Sequence, residues 1–462
     1  MDFKNGFGFA VKNLTVSLQT LLNNHAPLKT KSISVVDHAP WFDKEYRELR
    51  KLRRNAERKK NRSSDNLIYY KDLCAKATKM AHSKKKAFIT NTINKSKCKS
   101  RTLYKMVNNI LDRKQTAPLP DNQDLLSLAK NFNEFFIDKI DKLRSNMETS
   151  ITPNITQSNV TPLFDFYPTC IDEIREIINK SGVKCSPADM LPTMLMKKNL
   201  ESLLPTIVTL VNLSLSSASM DGVKVADIIP SIKDVSLDPN ILNYFRPVSN
   251  LVFLGKLIEQ VVQLRLEEHM SLNNLNCPEQ SAYRKNHSTE TLLIKMTNDL
   301  LIASDEQTAT VVMLLDLSAA FDTVDHTLLL KILHDEIGIK GTALAWFASF
   351  LQDRSQRIRL GDITSDTITI KFGVPQGSVL GPILFNIYIR SIYLYVKKLG
   401  FKINGYADDH QISKSFVPSD QLEVLTINLI NCFSEIKRWM IQYYLHLNGP
   451  KTQIIVFGPR SI

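Results

Sequence analysis

The sequence predicts an α+β chain, a basic helical N-terminal segment followed by a larger body in which helix and strand signals alternate. Three observations lead there. First, charge is divided along the chain. Residues 44–114 hold 23 Lys and Arg against 6 Asp and Glu, a local excess of +17, which leaves −4 for the rest of a chain of net charge +13. Second, hydrophobic residues make up 43% of the 462 residues, enough to fill a core and exclude a wholly disordered chain. Third, beyond Pro162 the apolar residues change from long helical stripes to a mixture of short helical stripes and β-branched runs.

Residues 1–43 read as an N-terminal tail. They contain no apolar core of signal-peptide length, and no apolar run in the chain reaches membrane-spanning length, so no membrane partner is expected. Residues 44–144 read as helical. KEYRELRKLRRNAERKKN is dense in helix formers. RTLYKMVNNIL puts Leu103, Met106, Val107, Ile110 and Leu111 on one face, and DLLSLAKNFNEFFIDKIDKL does the same with Leu125, Leu128, Phe132, Phe135, Phe136 and Ile140. A solvated surface or a localisation signal would also explain the charge, but its density favours binding to nucleic acid. SNMETSITPNITQSNVTP has no periodicity and is rich in Ser, Thr, Asn and Pro, so 145–164 reads as a linker.

The body then runs from 165 to 462. CIDEIREIINK is a short amphipathic helix built on Ile171, Ile174, Ile177 and Ile178. ATVVMLLDL (309–317) is apolar and β-branched without alternation, the pattern of a strand buried on both faces. HTLLLKILHDEIG is a helix, and IRLGD with SDTITIKF gives two short strands joined by a turn. The six cysteines form no CxxC pair, which excludes a zinc ribbon and fits a reducing compartment.

Chemistry concentrates in GYADDHQI (405–412). Adjacent Asp408 and Asp409 repel each other, and in a continuous strand they would face opposite sides. A turn explains them locally. At a hairpin tip, with apolar segments 399–403 and 422–430 as its arms, both can address one cation. Asp316 ends the buried run VVMLLD, where an unpaired carboxylate would be costly. Asp322 and Asp325 just beyond read as helix-start or turn residues. Three carboxylates without a nearby His or Cys cluster suit a hard cation such as Mg²⁺.

LDLSAAFDTVDH (315–326), GVPQGSVLGPILFNIYI (373–389) and GYADDHQI occur in an order and spacing that resembles the palm of reverse transcriptases from non-long-terminal-repeat, LINE-type retrotransposons. SPADMLPTMLMK (186–197), NYFRPVSNLVFLGKLIEQVV (243–262), QSAYRKNHSTETLL (280–293), WFASFLQDRSQRIRL (346–360) and LHLNGPKTQIIVFG (445–458) extend the likeness across roughly 165–460. The resemblance implies a right-hand polymerase with fingers and palm. Asp316, Asp408 and Asp409 would bind two Mg²⁺ (Mn²⁺ as substitute), with the Leu317 carbonyl as a further ligand. Phe321 would be the gate against a ribose 2′-hydroxyl, and Gln376 would line the template–nucleotide pocket.

Gly373 and Gly377 would let backbone approach the substrate. Arg246 and Arg284 would touch template or triphosphate, and Lys451 would protonate departing pyrophosphate. The implied partners are an RNA template, a DNA primer and dNTPs, in nucleus and cytoplasm. Ala282 stands where the family often has Gly, Gln453 where it often has Glu, and Arg390-Ser391 where Asn-Asp is common; none of these removes a catalytic group. The chain is expected to be a piece of a longer element protein, without its thumb and endonuclease. The alternatives are a decayed nucleic-acid-binding relic and an RNA-copying polymerase, the latter disfavoured by the bulky Phe321.

Overall fold

The computed structural model of the chain describes residues 4–27, 41–95, 119–120, 124–147, 153–182, 188–417 and 422–458, with Tyr104, Val107, Asn108 and Ser186. The chain divides into two compact units, residues 28–117 and the remainder.

The smaller unit contains helices Lys44–Glu57 and Ser64–Lys95. Asp43 starts the first by accepting a hydrogen bond from the Tyr46 amide at 3.0 Å, the usual use of Asp at a helix start. Lys84 reaches back from the second helix to Glu45 at 2.6 Å and to Asp43. The two helices close on small contacts, Ala56, Leu73 and Ala77 being buried. Lys51, Arg54, Arg58, Lys59, Lys71, Lys79, Lys85 and Lys86 remain exposed. Of the expected stripe at 103–111, Leu103, Met106, Ile110 and Leu111 lie outside the described residues, and Tyr104 and Val107 are exposed.

Three expected boundaries move. Residues 1–27 are not a tail apart, because Phe7 and Val11 of helix Lys4–His25 join the main core of the body. Helix Leu125–Ser145 also belongs to the body. Its Leu128, Phe132 and Phe136 share a core cluster with Ile228, Phe245 and Ile358, while buried Asn133 donates to the Ser365 hydroxyl at 3.1 Å and the Asp366 carbonyl at 3.0 Å. The described part of the expected linker is tied down as well. Its Ser158 amide donates to Asp335 O, and Leu163 exchanges hydrogen bonds with Gly338 and Lys340, all at 2.9 Å. Helical period shows that a stripe exists; it does not show what the stripe meets.

The body carries eleven strands among the described residues: β1 Val225–Ile232, β2 Phe245–Asn250, β3 Ala309–Leu315, β4 Leu317–Ser318, β5 Ser355–Leu360, β6 Ile363–Thr364, β7 Ile368–Thr369, β8 Lys402–Tyr406, β9 Asp409–Phe416, β10 His446–Leu447 and β11 Gln453–Phe457. One sheet has the order β2-β1-β5-β6, with β7 also on β5. Within it Asp227, 1% exposed, is paired by Arg357 at 2.6 Å and Arg359 at 2.9 Å, so a buried carboxylate there has its countercharges. The second sheet runs β11-β3-β9-β8, antiparallel throughout. As the unbroken apolar run predicts, β3 is buried on both faces. The helices expected at 170–180 and 326–338 form as Ile171–Lys180 and His326–Asp335.

Helix Leu200–Ser217 is long and apolar enough to cross a membrane by length and composition, against the sequence expectation that no such run exists. Here it is a core helix, with Leu204, Ile207, Leu210, Val211 and Leu215 buried and Ser214 accepting from Trp346 Nε1 at 3.1 Å. Among the described residues Cys74, Cys170, Cys277 and Cys432 are free thiols.

Candidate active site

The two adjacent acids are presented by a hairpin whose second arm differs from the expected one. β8 pairs with β9, with Ile403 opposite Ile412 and Tyr406 opposite Asp409. Ala407 and Asp408 therefore form a two-residue turn, and Ala407 takes a left-handed φ of +58°. Residues 422–430, expected as the return strand, belong instead to helix Leu422–Gln442. The true return strand, DHQISKSF, buries His410 and Ile412 and turns polar residues outward, so its hydrophobic content alone was too low to mark it. Because Asp408 is in the turn and Asp409 begins the strand, the opposite-faces constraint on neighbouring strand residues is lifted.

The sheet brings the third acid alongside. β3 pairs with β9 so that Leu315 opposes His410; continuing that register by one residue places Asp316 opposite Asp409. Asp316 is not a lone carboxylate. Asn448 donates its side-chain amide to Asp316 Oδ2 at 2.9 Å and its backbone amide to the Asp316 carbonyl at 2.8 Å. This fixes the β3–β4 junction against the loop that also bears Lys451. Lys451 Nζ stands 3.9 Å from Asp316 Oδ2.

Asp316, Leu317, Phe321, Gln376, Gly377, Arg246, Lys451 and both hairpin aspartates line one open cleft. Burial and the neighbouring acids make ionisation of both hairpin carboxyls costly. Burial raises the pKa of Asp408, and the Asp316 charge adds to this against a smaller opposing effect of Arg246. Asp409 is raised by burial, then by Asp408 and Asp316. Like charges crowded in a partly dry site are what a cation relieves. Among the described residues no three ligating side chains already converge as a complete metal site.

The cleft walls are braced by contacts within the chain. Phe321 stacks on Phe385, ring centroids 4.4 Å apart at 24°, and its carbonyl accepts from the Val374 amide at 2.9 Å. Gln376 donates Nε2 to Asp322 at 2.7 Å and accepts at its carbonyl from the Ser249 amide at 2.9 Å. Gly373 and Gly377 both have positive φ, +86° and +124°. Each admits a close approach of the chain's own backbone. A Cβ at Gly373 would meet Asp322 O at 2.7 Å, and one at Gly377 would strike Ser249 O.

Arg284 does not join the cleft. Its Nη1 donates to the carbonyls of Cys277 at 2.8 Å and Gln280 at 3.1 Å, and it lines a separate cavity with Asn386 and Arg390. Its neighbour Tyr283, at φ +59°, lines the cleft in its place, its hydroxyl pKa raised by burial and by Asp408. Of the two other aspartates, Asp325 caps helix His326–Asp335 as expected, accepting from the Leu328 amide at 2.9 Å. Asp322 is not a turn residue only; it holds Gln376, and burial pushes its carboxyl up to about 6.

Sequence reasoning also missed a cationic wall. Lys139, from helix Leu125–Ser145, donates to Asn243 Oδ1 at 2.9 Å, and Lys233 donates to Asn243 O at 2.8 Å. Both line the cleft. Burial lowers the Lys233 ammonium, helped by Lys139, Lys451 and Arg246, and burial lowers Lys139 as well. Lys139, Lys233, Arg246 and Lys451 thus line the same cleft as the three acids, positive charge suited to a polyanion. Asn448 had a faint signal, three residues before Lys451 in LHLNGPK; Lys139 had none.

The family model described as reverse transcriptase (RNA-dependent DNA polymerase) matches residues 233–460. The RNA-directed DNA polymerase from mobile element jockey of Drosophila melanogaster is 24% identical over 301 residues, covering 63% of this chain and 32% of that protein. The probable RNA-directed DNA polymerase from transposon BS of the same organism is 27% identical over 213 residues, 45% of this chain and 23% of that protein. The matched stretch is therefore about a third or less of the length of these relatives. A solved structure of apo telomerase from Candida tropicalis, truncated from the C-terminal domain, is 15% identical with a TM-score of 0.37, covering 52% of this chain and 51% of that one.

Proposed function

We infer that the chain, whose residues 233–460 match the reverse transcriptase family model and which is similar to the jockey and BS polymerases, is a LINE-type reverse transcriptase with a right-hand polymerase fold that adds deoxynucleotides to a DNA 3′ end on an RNA template, in retrotransposition, by two-metal phosphoryl transfer. The observation that carries this reading is the meeting of Asp316, Asp408 and Asp409 in one cleft, where burial and then the Asp316 charge raise the Asp408 pKa, and burial and then both neighbours raise that of Asp409. Two Mg²⁺, or Mn²⁺, held by these acids and the Leu317 carbonyl would supply Lewis-acid stabilisation of charge on the phosphoryl oxygens.

The chain's own groups do the rest. Arg246, Lys233 and Lys139 receive the triphosphate with fixed positive charge. Lys451 donates a proton to departing pyrophosphate. Gln376, held by Asp322, bounds the pocket of the templating pair. Phe321, fixed by its stack on Phe385, occupies the space a 2′-oxygen would need. Arg284 lines a separate cavity, its Nη1 donating to two carbonyls there. The relic alternative loses ground because none of the three acids is substituted. Purified chain given RNA template, DNA primer, dNTPs and Mg²⁺ should lengthen the primer; no product with either Mg²⁺ or Mn²⁺ would overturn the reading.

Phe321→Val should lower discrimination against ribonucleotides by about tenfold or more, read as the ratio of kcat/KM for dNTP and NTP. Phe321→Tyr, which keeps the stacked ring, should not. Equal ratios for Phe321→Val and the parent would make Phe321 core packing alone.

The unit 28–117 is proposed to bind RNA through its exposed Lys and Arg. If about six of them meet phosphates, log K should fall with log salt at a slope near −4, at roughly −0.7 per single-strand contact. Removing residues 28–117 should flatten the slope and weaken all RNAs alike in a filter-binding titration. An unchanged slope would return this surface to solvation.

A further inference from the structure

We propose that Gln280 is a positioning residue for the reaction centre, its carboxamide clamping the turn that carries Asp408. The clamp is built from one side chain, 2% exposed. Gln280 Oε1 accepts from the Ala407 amide at 3.0 Å, and Nε2 donates to the Ala407 carbonyl at 3.1 Å. Both backbone groups of the same turn residue are thus held by one amide. The remaining capacity of that amide is used too: Oε1 accepts from the Ala282 amide at 3.0 Å, and Nε2 donates to the Tyr393 hydroxyl at 2.9 Å. With two N–H donors on one end and two oxygens on the other, the orientation of the amide is fixed by its partners.

What the clamp holds is a strained residue. Ala407 sits at φ +58°, a left-handed conformation that is costly for a non-glycine residue and persists only when its surroundings impose it. The surroundings are one-sided. The strand register leaves Ala407 and Asp408 outside the β8–β9 ladder. The segment around Gln280 supplies a second attachment, Ser281 N donating to Gly405 O and Gly405 N to Glu279 O, both at 2.9 Å. Gly405 itself is required there, because a Cβ would run into the Tyr393 hydroxyl. A lost clamp frees Ala407 to relax, and Asp408, the next residue, turns with it. The distance between Asp408 and Asp316 then ceases to be fixed.

The proposal rests on the metal reading of the three aspartates, and its test separates the two. In the full-length chain, Mn²⁺ binding without nucleotide is measured from the loss of the free-ion electron paramagnetic resonance signal. The half-saturating Mg²⁺ for primer extension is measured in parallel. Gln280→Leu and Gln280→Glu should keep the parent's circular dichroism but bind Mn²⁺ about 10- to 100-fold more weakly, the usual cost of removing a group that orients a ligand. Half-saturating Mg²⁺ should rise by a similar factor.

Ala407→Gly in the Gln280→Leu background should recover part of the loss, because glycine adopts positive φ without steric cost; a role in core packing alone would not be rescued this way. Should Gln280→Leu fail to fold, the isosteric Gln280→Glu carries the comparison. A folded variant with the parent's Mn²⁺ affinity overturns the clamp. An Asp408→Ala chain that binds Mn²⁺ as the parent does overturns the metal reading itself, and the clamp with it.

Discussion

Asp408→Ala should reduce primer extension roughly 10³-fold or more while leaving the fold at least as stable as the parent at pH 7. The loss follows from the role: without this carboxylate a metal ligand is gone, and charge developing on the phosphoryl oxygens is no longer offset. The stability expectation comes from the shift. Burial and Asp316 hold the Asp408 pKa above its ordinary value, so this carboxyl ionises less readily in the folded than in the unfolded chain and its ionisation at neutral pH costs the fold. For a raised carboxyl, stability falls as pH climbs from the unfolded pKa through the folded one. Alanine removes that cost. Thermal melts should show Asp408→Ala no lower than the parent near neutral pH and less dependent on pH across the acid range. Added Mg²⁺ should raise the parent's midpoint by mass action and leave that of the variant nearly unmoved. Extension at the parental rate would end the metal assignment, and a large fall in midpoint would make Asp408 structural.

Gly377→Ala should cost about 3 kcal/mol or more, and with it nearly all extension. Two penalties coincide at this residue. Its φ of +124° lies outside the range of L side chains, which alone costs of order 1–3 kcal/mol. The new methyl would also strike the Ser249 carbonyl, so the loop would have to leave β2 and break the bond from the Ser249 amide to the Gln376 carbonyl. Gly182→Ala is the control, since a Cβ there meets nothing within 4 Å. A Gly377→Ala chain with the parent's urea midpoint would show that the loop can shift without cost.

Local chemistry was legible where a short stretch carries its own period. VVMLL is buried on both faces because β-branched residues without polar alternation can satisfy only a central strand, and the acid that follows falls at its end. GYADDHQI signals a turn, because adjacent strand residues face opposite sides and only a hairpin tip lets both acids address one side, and the tip forms there. The cap at Asp325 and the stripe of Ile174 and Ile178 follow in the same way from neighbours within a few residues.

Partnership was decided by the tertiary structure alone. Phe132 and Phe136 look the same in sequence whether they serve a separate basic segment or the body, and only their packing on Phe245 assigns them. That packing also delivers Lys139 to the cleft from more than a hundred residues before the nearest acid. Arg284 has the side chain for a phosphate, yet two backbone carbonyls within seven residues take it first. Gln280 reads as an ordinary polar residue until the fold brings Ala407 to its amide. Spacing along a chain fixes which side chains share a face; which faces meet depends on contacts that close long loops, and those no local pattern encodes.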